Sequence, residues 1–482
     1  MHQPDYIIHI RSNKVRQTAF QIEGVKNLTI CKNEHIAIVG NNGAGKSVLV
    51  GILMGKYPMI GDGVKYHFEN SDDHSVFKNI KYISFRDSYG SEDQDYYYQQ
   101  RWNSADVEGR TRVIDALGTF QSSELQEQLF HLFGITTLMH KQLILLSSGE
   151  MRKFQIVKAL LSSPRILIID NPFIGLDIAS RELLRRILQI LTEKHLVQII
   201  LVLSRPSEIP EFITHIIPVK HRTCGKKMQR SDFYAFDTPI NAISEQSKVT
   251  VRSFPPKQQT DEMIVEMHNL SIRYGEKYIL RNLNLSIKRG EIWALLGENG
   301  SGKSTLLSLI CADNPQSYAC NIHLFGKKRG TGESIWDIKR RIGYVSPEMQ
   351  RSYQKCIPAI DTVASGLYDT IGLYRKVHEE QRTISMQWMQ IFGIAHLADR
   401  NFTELSNGEQ RLVLLARAFV KNPDLIILDE PLHGLDDANR HLAQSIIEKF
   451  TRQPEKTAII VSHYPEELPE SITHRFHLTK QT

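Results

Sequence analysis

An acidic segment occurs twice in this 482-residue chain, and its two copies differ in chemical capacity at one position. The first copy, ILIIDNPFIGLD, spans residues 166–177, and the second, LIILDEPLHGLD, spans residues 425–436. The aspartate that closes each aliphatic run is followed by Asn171 in the first copy and by Glu430 in the second. A carboxylate can accept a proton from water, whereas an amide cannot. The two copies therefore predict one site with a general base and one site without it.

A glycine-rich loop precedes each acidic segment and has the composition of a phosphate-binding loop. Glycine lets the backbone fold so closely that its N–H groups face phosphate oxygens, at a helix N-terminus whose dipole also favours anions. The lysine of each loop is predicted to meet the β- and γ-phosphates of a nucleotide, and the next residue to meet Mg²⁺. The predicted nucleotide-binding residues are Gly40, Asn41, Asn42, Gly43, Ala44, Gly45, Lys46 and Ser47 in the first loop, and Gly297, Glu298, Asn299, Gly300, Ser301, Gly302, Lys303, Ser304 and Thr305 in the second.

The aspartates of the acidic segments are predicted to serve the same nucleotides. Asp170 and Asp429 each end a run of four aliphatic residues, which places a carboxylate at the C-terminal edge of a buried strand. A carboxylate beside a phosphate-binding loop can hold Mg²⁺ through water. We therefore predict Ser47 and Asp170 as metal ligands in the first copy, and Ser304 and Asp429 in the second.

Two further residues of the second copy are placed to act on the terminal phosphate. Glu430 follows Asp429 directly and is positioned to polarise an attacking water. His463 follows the next apolar strand, where it can contact the γ-phosphate. The predicted catalytic residues are Lys303, Asp429, Glu430 and His463.

The spacing of the motifs indicates a duplicated domain. Lys46 and Lys303 are 257 positions apart, and the segments LSSGE, from Leu146, and LSNGE, from Leu405, are 259 apart. Between the copies lies a stretch with a Pro-Pro pair and no sustained periodicity, which is typical of a connector. We predict a first domain at residues 1–220, a connector at 221–262 and a second domain at 263–482.

Apolar strands and helical patterns alternate within each copy. HIAIVG and EIWALLG lead into the glycine loops, ILIID and LIILD carry the aspartates, and QIILVLS and TAIIVS follow. This alternation predicts an α/β fold with a mostly parallel sheet covered by helices. The middle of each copy, about 87–146 and 348–405, has a mainly helical pattern and is predicted to form a separate lobe.

Composition argues against several other classes of protein. Hydrophobic residues make up 41% and charged residues 23%, which supports burial of two cores. The net charge of +6 is too small for this length to indicate a nucleic-acid partner. The five cysteines include no C-x-x-C pair, so we expect neither a disulfide framework nor a zinc site, as in a reducing cytoplasm. No run reaches the roughly 18 apolar residues of a membrane span, so we expect no direct membrane insertion.

The order of these motifs resembles that of tandem ATP-binding cassette (ABC) ATPases over nearly the full length. The resemblance implies two P-loop domains, each with an antiparallel β edge and a helical lobe, and it implies ATP and Mg²⁺ as cofactors. It further implies that the two domains pair head to tail, with each ATP between the loop of one domain and the signature of the other. The signature residues implied to contact nucleotide are Ser147 and Gly149, which would meet the second loop, and Ser406 and Gly408, which would meet the first.

Two residues of the first copy depart from the pattern of this family. Asn171 stands in place of the glutamate, and Arg205 stands in place of the histidine. Loss of a positioned base commonly lowers a rate by about 10²- to 10⁴-fold. The resemblance therefore implies that the first site binds ATP and turns it over slowly, whereas the second hydrolyses it. The alternative interpretation is that Asn171 and Arg205 reflect sequence drift alone.

A glutamine that the family uses to connect the nucleotide with the helical lobe is absent from both copies. Phe85 and Pro347 occupy its positions, and Gln350 is a nearby substitute in the second copy. The absence weakens the case for coupling to a transmembrane partner.

The aromatic residue that stacks on adenine in this family is present in one copy. Tyr274 lies at the matching position, 23 residues before Gly297. Its equivalent in the first copy is Gln17, with Phe20 as the nearest stand-in.

Within the tandem ABC ATPases, the likeness is to the ModF type, molybdate-associated ATP-binding proteins once named photorepair proteins (PhrA). It rests on LSRPSEIPEF at 203–212, GTGESIWDIKRRIGYVS at 330–346 and IGLY at 371–374. The resemblance implies a cytoplasmic ATPase at the inner face of the cell membrane, with transmembrane transporter subunits as partners in molybdenum uptake.

Translation factors of the ABC-F type are the main rival, because they are also tandem cassettes without membrane spans. Those proteins usually carry a long charged helical connector and two catalytic glutamates. Here the connector is short and contains prolines, and Asn171 replaces one glutamate. A regulatory ATP sensor with little turnover is the third interpretation.

Overall fold

The computed structural model describes residues 6–12, 14–61, 63–68, 75–84, 111–118, 124–143, 146, 148–236, 262–274 and 277–480. These residues form two compact units, the first comprising the described residues up to 236 and the second those from 262 onward. Each unit has one mostly parallel sheet and one antiparallel sheet, with helices between the strands. The predicted α/β architecture with an antiparallel edge is therefore confirmed for both copies.

The first unit is built on a seven-stranded and a three-stranded sheet. Its strands are β1 (Tyr6–Ile10), β2 (Thr29–Cys31), β3 (Ile36–Val39), β4 (Val64–Tyr66), β5 (Ile80–Ser84), β6 (Ile166–Asp170), β7 (Gln198–Leu203), β8 (His215–Lys220), β9 (Thr223–Cys224) and β10 (Met228–Gln229). Its helices are α1 (Lys46–Leu53), α2 (Val76–Asn79), α3 (Val113–Leu117), α4 (Glu124–Phe133), α5 (Ser148–Leu160), α6 (Ile178–Glu193) and α7 (Arg230–Phe236). The large sheet has the order β10-β8-β3-β7-β6-β5, with β9 beside β8, and the small one the order β2-β1-β4.

The second unit is built on a five-stranded and a four-stranded sheet. Its strands are β11 (Met263–Tyr274), β12 (Lys277–Lys288), β13 (Ile292–Leu296), β14 (Ile322–Leu324), β15 (Lys327–Lys328), β16 (Ile342–Val345), β17 (Leu425–Asp429), β18 (Thr457–Val461) and β19 (His474–His477). Its helices are α8 (Lys303–Ile310), α9 (Ile335–Arg341), α10 (Pro347–Ser352), α11 (Ala359–Ala364), α12 (Glu379–Ile391), α13 (Asn407–Phe419) and α14 (Asp437–Thr451). The parallel sheet has the order β16-β17-β18-β13-β19, and the antiparallel one the order β12-β11-β14-β15.

The central strands of both parallel sheets are continuous aliphatic runs because helices cover both of their faces. Every residue of β17 and β18 is buried, as is every residue of β3 and β7. A sheet buried on both faces has no alternation of polar and apolar residues to fix its register. Polar residues therefore mark the strand ends, where the chain leaves the core.

The aspartate that ends each acidic segment starts the helix that follows it. Asp177 accepts a hydrogen bond from the backbone N–H of Ser180 at 2.7 Å, and Asp436 accepts one from Asn439 at 2.9 Å. An aspartate at this position satisfies an N–H group that the first helical turn leaves without a partner. The G-L-D part of the repeated segment is thus a helix-capping signal that both copies keep.

The helical lobe of the second unit is packed around aromatic rings. Trp388 of α12 lies 5.3 Å from Phe419 of α13, and Phe419 meets Phe450 of α14 edge-on at 5.1 Å. All three side chains are buried. Because α13 carries the LSNGE signature at its start, this packing fixes the signature helix against the rest of its own unit.

The start of the predicted connector contributes secondary structure to the first unit. Residues 223–236 form β9, β10 and α7, and both short strands pair antiparallel with β8. Lys227 also reaches the carboxylate of Glu34 at 2.6 Å. These pairings are not evident from sequence, because strands of two residues have no periodicity.

A membrane span would require a long, apolar helix. None of the helices in the described part of the chain is long and apolar enough to cross a bilayer.

A half-buried histidine makes the stability of the first unit depend on pH. The Nδ1 of His35 accepts a hydrogen bond from the backbone N–H of Ile199 in β7 at 3.2 Å, so this nitrogen must be unprotonated in the fold. Burial, and to a smaller extent the nearby His195, lowers the pKa of His35 from 6.5 to about 4. The unfolded chain therefore binds a proton as the pH falls below about 6.5, while the folded chain does not until about pH 4.

We expect the free energy of opening of β7 to decrease by about 1 kcal/mol between about pH 7 and about pH 5, a value reduced for the partial exposure of the ring. Hydrogen exchange of β7 amides, corrected for intrinsic exchange, measures this change, and His35→Gln should remove it. Strand β18 is an internal control, because Ile292 occupies the position equivalent to His35. Equal pH dependence of the two strands in the unaltered protein would contradict the assignment.

Candidate functional site

The second glycine loop joins β13 to α8 and surrounds a lysine ammonium group. Lys303 is the first residue of α8, and its Nζ donates hydrogen bonds to the carbonyls of Gly297 at 2.7 Å and Glu298 at 2.8 Å. The side chain is mostly buried. Asn299, Gly300 and Ser301 lie in the same loop, and Ser304 and Thr305 lie in the first turn of α8. The structure therefore places the second predicted phosphate-binding set at one helix N-terminus.

Two glycines of this loop are required by its geometry. Gly297 has a φ of 149°, and a Cβ there would lie 2.4 Å from the backbone oxygen of Leu478. Gly302 has a φ of 98°, in the left-handed region, and directly precedes the helix. A side chain at either position would therefore disturb the loop that leads into α8, whose N-terminus favours an anion.

The carboxylate and the histidine come from neighbouring strands of the parallel sheet. Asp429, the last residue of β17, is paired with Val461, the last residue of β18. The backbone N–H of Glu430 donates to the carbonyl of Val461 at 2.9 Å, which fixes the start of the turn. Glu430 and His463 therefore lie next to each other at the carboxyl edge of the sheet, where ligands of open α/β sheets bind.

The carboxylate of Glu430 is in contact with two imidazole rings. His463 Nε2 lies 3.1 Å from Oε1, and His433 Nδ1 lies 3.6 Å from Oε2. Burial alone would raise the pKa of Glu430, but the adjacent imidazole of His463 and the charges of His433 and Arg411 outweigh it and lower this pKa to about 2. Glu430 is thus held as an oriented carboxylate throughout the neutral pH range.

Asp429 is in the opposite electrostatic situation. Its side chain is buried, and burial together with the negative charges of Glu348 and Glu430 raises its pKa well above the ordinary value, although Arg411 and Lys303 oppose this. A carboxylate surrounded in this way is stabilised as an anion by an additional cation. The donor set of Ser304 and Asp429 beside Lys303 therefore suits Mg²⁺ that is bound together with phosphate oxygens.

A buried arginine connects the signature helix with the turn that follows β17, and the sequence motifs did not reveal it. Arg411 of α13 is fully buried. Its Nη2 donates hydrogen bonds to the carbonyls of Asp429, at 2.6 Å, and Glu430. Its Nε donates to the carbonyl of Pro431 at 3.3 Å. The signal available in the sequence was the arginine at the same position of the first copy, Arg152.

Arg152 makes the equivalent connection in the first unit. It lies in α5, is buried, and donates to the carbonyls of Pro172, at 2.5 Å, and Ile174. Both copies therefore tie the helix that follows the signature to the turn that follows the acidic strand.

The first glycine loop has the same construction as the second. It joins β3 to α1, which begins at Lys46, and it contains Gly40 through Gly45. The Nζ of Lys46 donates to the carbonyls of Gly40 at 2.6 Å and Asn41 at 2.9 Å, and Ser47 lies in the first helical turn. The first copy thus keeps the predicted phosphate-binding set in place.

The acidic turn of the first unit differs from that of the second in its chemistry. Asn171 Nδ2 donates to Asp170 Oδ1 at 2.9 Å, and Tyr82 donates to Asp170 Oδ2, also at 2.9 Å. The Oδ1 of Asn171 lies 3.4 Å from the hydroxyl of Ser204, which is also 3.1 Å from Asn42 in the glycine loop. The amide therefore orients the predicted metal-binding carboxylate and offers no base for water.

Arg205, at the position of His463, is directed towards a carboxylate outside the loop. Its Nη1 lies 3.6 Å from Glu208, which is also 3.5 Å from Arg181. In the second unit the corresponding glutamate, Glu467, instead receives the hydroxyl of Ser462 at 2.7 Å and an ion pair from Arg440 at 2.9 Å. The first unit thus has an arginine, and not an imidazole, at this position beside its acidic turn.

The signature residues lie at helix starts within their own units. Ser406 caps α13 by accepting from the N–H of Glu409 at 3.4 Å, and Glu409 in turn accepts from the N–H of Ser406 at 2.8 Å. Gly408 is buried in the first turn of α13, and Gly149 lies in the first turn of α5. Ser147 lies outside the described residues. The S-x-x-E pattern explains why this segment starts a helix.

The predicted adenine-contacting aromatic is half-buried and anchored. Tyr274 ends β11, and its hydroxyl accepts a hydrogen bond from Asn314 at 3.1 Å; burial raises its pKa, which this hydrogen bond opposes. In the first unit, Gln17 precedes a 3₁₀ turn at Thr18–Phe20, and Phe20 stacks on Tyr57 with a centroid distance of 4.4 Å. The two units therefore differ at this position in structure as well as in sequence.

The position of the missing glutamine is occupied by the start of α10. Pro347 begins this helix, and Gln350 donates through Nε2 to the carbonyl of Asn407 in α13 at 3.0 Å. Gln350 thus connects the sheet edge with the signature helix inside the second unit. Glu348, which precedes it, contributes to the raised pKa of Asp429. Phe85 lies outside the described residues.

The chain is similar to known proteins over nearly its full length. A family model described as ABC transporter matches residues 25–174 and 280–433. The chain is 35% identical over 483 residues to the ABC transporter ATP-binding protein ModF of Escherichia coli (strain K12), with 96% of each chain covered. It is 30% identical to an uncharacterized ABC transporter ATP-binding protein of Schizosaccharomyces pombe, with 93% of each covered.

Solved structures show the same fold across both units. An RNase-L Inhibitor aligns with a TM-score of 0.51 at 20% sequence identity, and the alignment covers 95% of this chain and 85% of that one. At this level of identity the likeness concerns the fold alone.

Proposed function

The chain belongs to the ABC transporter family of ATP-binding proteins, and from this premise we propose that it is a tandem ABC ATPase with two unequal nucleotide sites. The second glycine loop serves the site of hydrolysis, and the first serves a site that retains ATP. When bound, ATP supplies the phosphoanhydride bond and Mg²⁺ offsets the charge of its phosphates. Lys303 holds the phosphates, Ser304 and Asp429 hold the metal, and Glu430 orients the attacking water.

The contrast between Glu430 and Asn171 carries this proposal. Glu430 presents an ionised carboxylate held by His463 at 3.1 Å, whereas the amide of Asn171 is bonded to Asp170 at 2.9 Å. Lys46 and Lys303 make the same two contacts with their loops. The units therefore share the phosphate-binding device and differ in the base, which favours binding at both sites and chemistry at one.

We also propose that the two units pair head to tail around the nucleotides. In this arrangement Ser147 and Gly149 contact the ATP on Lys303, while Ser406 and Gly408 contact the ATP on Lys46. The family membership supports this pairing. Ser406 and Gly408 lie at the N-terminus of α13, where the helix dipole favours an anion.

The proposed role is to serve a transport system for molybdate at the inner face of the cell membrane. Support comes from the ModF-type segments of the sequence and from the identity of 35% to ModF across nearly the whole chain. The connection of Gln350 to α13 offers a substitute for the absent family glutamine in linking the sheet edge to the helical lobe.

The test uses the full chain with Glu430→Gln, which traps bound ATP, as the bait. Partners are captured in parallel from native membranes and from ribosome fractions. We expect transmembrane subunits of an oxyanion transporter to be recovered with ATP and released with ADP. Those subunits in vesicles should stimulate hydrolysis by the unaltered chain. Retention on ribosomes with stimulation by ribosomes alone would replace the transport role by the translation-factor role, and the absence of both partners would favour an ATP sensor.

A further inference from the structure

The two oxygens of the Glu430 carboxylate face two different imidazoles, and only one of these belongs to the predicted catalytic set. His463 approaches Oε1 at 3.1 Å, and His433 approaches Oε2 at 3.6 Å from the other side. We propose that His433 is a positioning residue that fixes the orientation of the Glu430 carboxylate for hydrolysis. The inference rests on the proposed hydrolysis at the second site and adds a residue to it.

The backbone holds His433 in place for this contact. The N–H of His433 donates to the carbonyl of Glu430 at 3.1 Å, which closes a turn over residues 430–433. The same carbonyl of Glu430 accepts from the buried Arg411. The ring of His433 is only 16% exposed, and its Nδ1 faces the Glu430 carboxylate across the turn that this backbone hydrogen bond closes.

A carboxylate that is held at one oxygen alone can still turn about its last side-chain bond, because that torsion has a broad energy minimum. A second contact at the other oxygen fixes the plane of the group. For a base that must point at one water, a misplacement of about 1 Å can cost about a hundredfold in rate. A distance of 3.6 Å is long for a hydrogen bond, and contacts of this kind commonly shorten when substrate is bound.

The first unit serves as an internal comparison for this assignment. Asn171, Ile174 and Arg205 occupy the positions of Glu430, His433 and His463. All three members of the imidazole–carboxylate–imidazole set are therefore replaced together, while Lys46 and Asp170 keep their places. If His433 only filled space in the turn, its replacement by an aliphatic residue would not be expected to accompany the loss of the carboxylate.

The test compares His433→Leu, which resembles the first unit, with His433→Gln, which keeps a polar donor. We expect His433→Leu to lower kcat about tenfold with the Kd for ATP changed less than about twofold, and His433→Gln to keep at least about half of the activity. His441→Leu, an exposed histidine on α14, is the matched control and should leave kcat unchanged. Full kcat in His433→Leu, or equal losses in the Leu and Gln variants, would overturn the proposal.

Two further readouts separate positioning from packing. In single-turnover measurements, adding His433→Leu to Glu430→Gln should cause no further loss, because the group that His433 orients is already absent. An additional tenfold loss would show that His433 acts independently of Glu430. Crystal structures of the two His433 variants give a readout that does not depend on hydrolysis. The inference is supported if the Glu430 carboxylate is displaced in the Leu variant and keeps its position in the Gln variant. It is refuted if the carboxylate keeps its position in both variants.

Discussion

Glu430→Gln should lower steady-state ATP hydrolysis by about 10²- to 10⁴-fold while leaving ATP binding intact. The substitution preserves the size of the side chain and removes the charge that two histidines and Arg411 surround. Because the amide cannot accept a proton from water, the variant should resemble the first unit, where Asn171 already occupies this position. Phosphate release under saturating ATP gives the rate, and equilibrium binding of labelled ATP gives the affinity.

The control for this variant is Glu470→Gln, which removes an 89% exposed carboxylate from the same unit and should have no effect. Introducing a carboxylate at the first site with Asn171→Glu should not be needed for turnover in the unaltered protein. Hydrolysis by Glu430→Gln at the original rate would show that another group activates water, and the asymmetric assignment would then be wrong.

The two loop lysines should separate nucleotide binding from hydrolysis. Lys303→Ala removes the ammonium group from the second loop, and we expect a loss of hydrolysis of at least about 10²-fold, because a positioned charge on the phosphates is a major electrostatic contribution. Lys46→Ala makes the same change in the first loop, where the ammonium group donates to the carbonyls of Gly40 and Asn41. There we expect hydrolysis to fall less than about tenfold, because Asn171 beside this loop provides no base for water. The number of nucleotides retained per chain, measured by rapid filtration, should decrease in both variants.

Lys327→Ala, on an exposed two-residue strand of the second unit, is the matched control and should change neither quantity. Equal losses of hydrolysis in Lys46→Ala and Lys303→Ala would mean that the two loops contribute equally to turnover. A first site that retains no ATP in the unaltered protein would contradict the proposed retention.

Much of the fold could be predicted from the sequence because its signals are local. The aliphatic runs that end in Asp170 and Asp429 lie in fully covered parallel strands, and the glycine loops lead into helices that begin at Lys46 and Lys303. The alternation of strands and helices indicated the α/β fold class, and the duplicated motifs indicated the number of units. The short strands β9 and β10 were assigned to the connector because two residues provide no pattern.

The contacts within the site were less accessible to sequence reasoning because they join residues that are far apart in the chain. Tyr82 and Asp170 are 88 positions apart, and nothing local indicates their hydrogen bond. His433 lies within a recognised segment, but its position opposite Glu430 depends on the turn geometry. Arg411 has an identical residue at the same position of the first copy, whereas His433 has no histidine there. Comparing the two copies position by position therefore indicates both residues.

The backbone at the position of the base has a further consequence. Glu430 has a φ of 48° and Asn171 a φ of 50°, so both copies place this residue in the left-handed region. Asparagine adopts that conformation readily, whereas a longer side chain incurs a conformational penalty of about 1 kcal/mol. Glu430 therefore holds local strain in the second unit that Asn171 avoids in the first. A glutamate at position 171 would have to overcome this preference and would lack both imidazoles, so we expect Asn171→Glu alone not to create a second hydrolytic centre in the molecule.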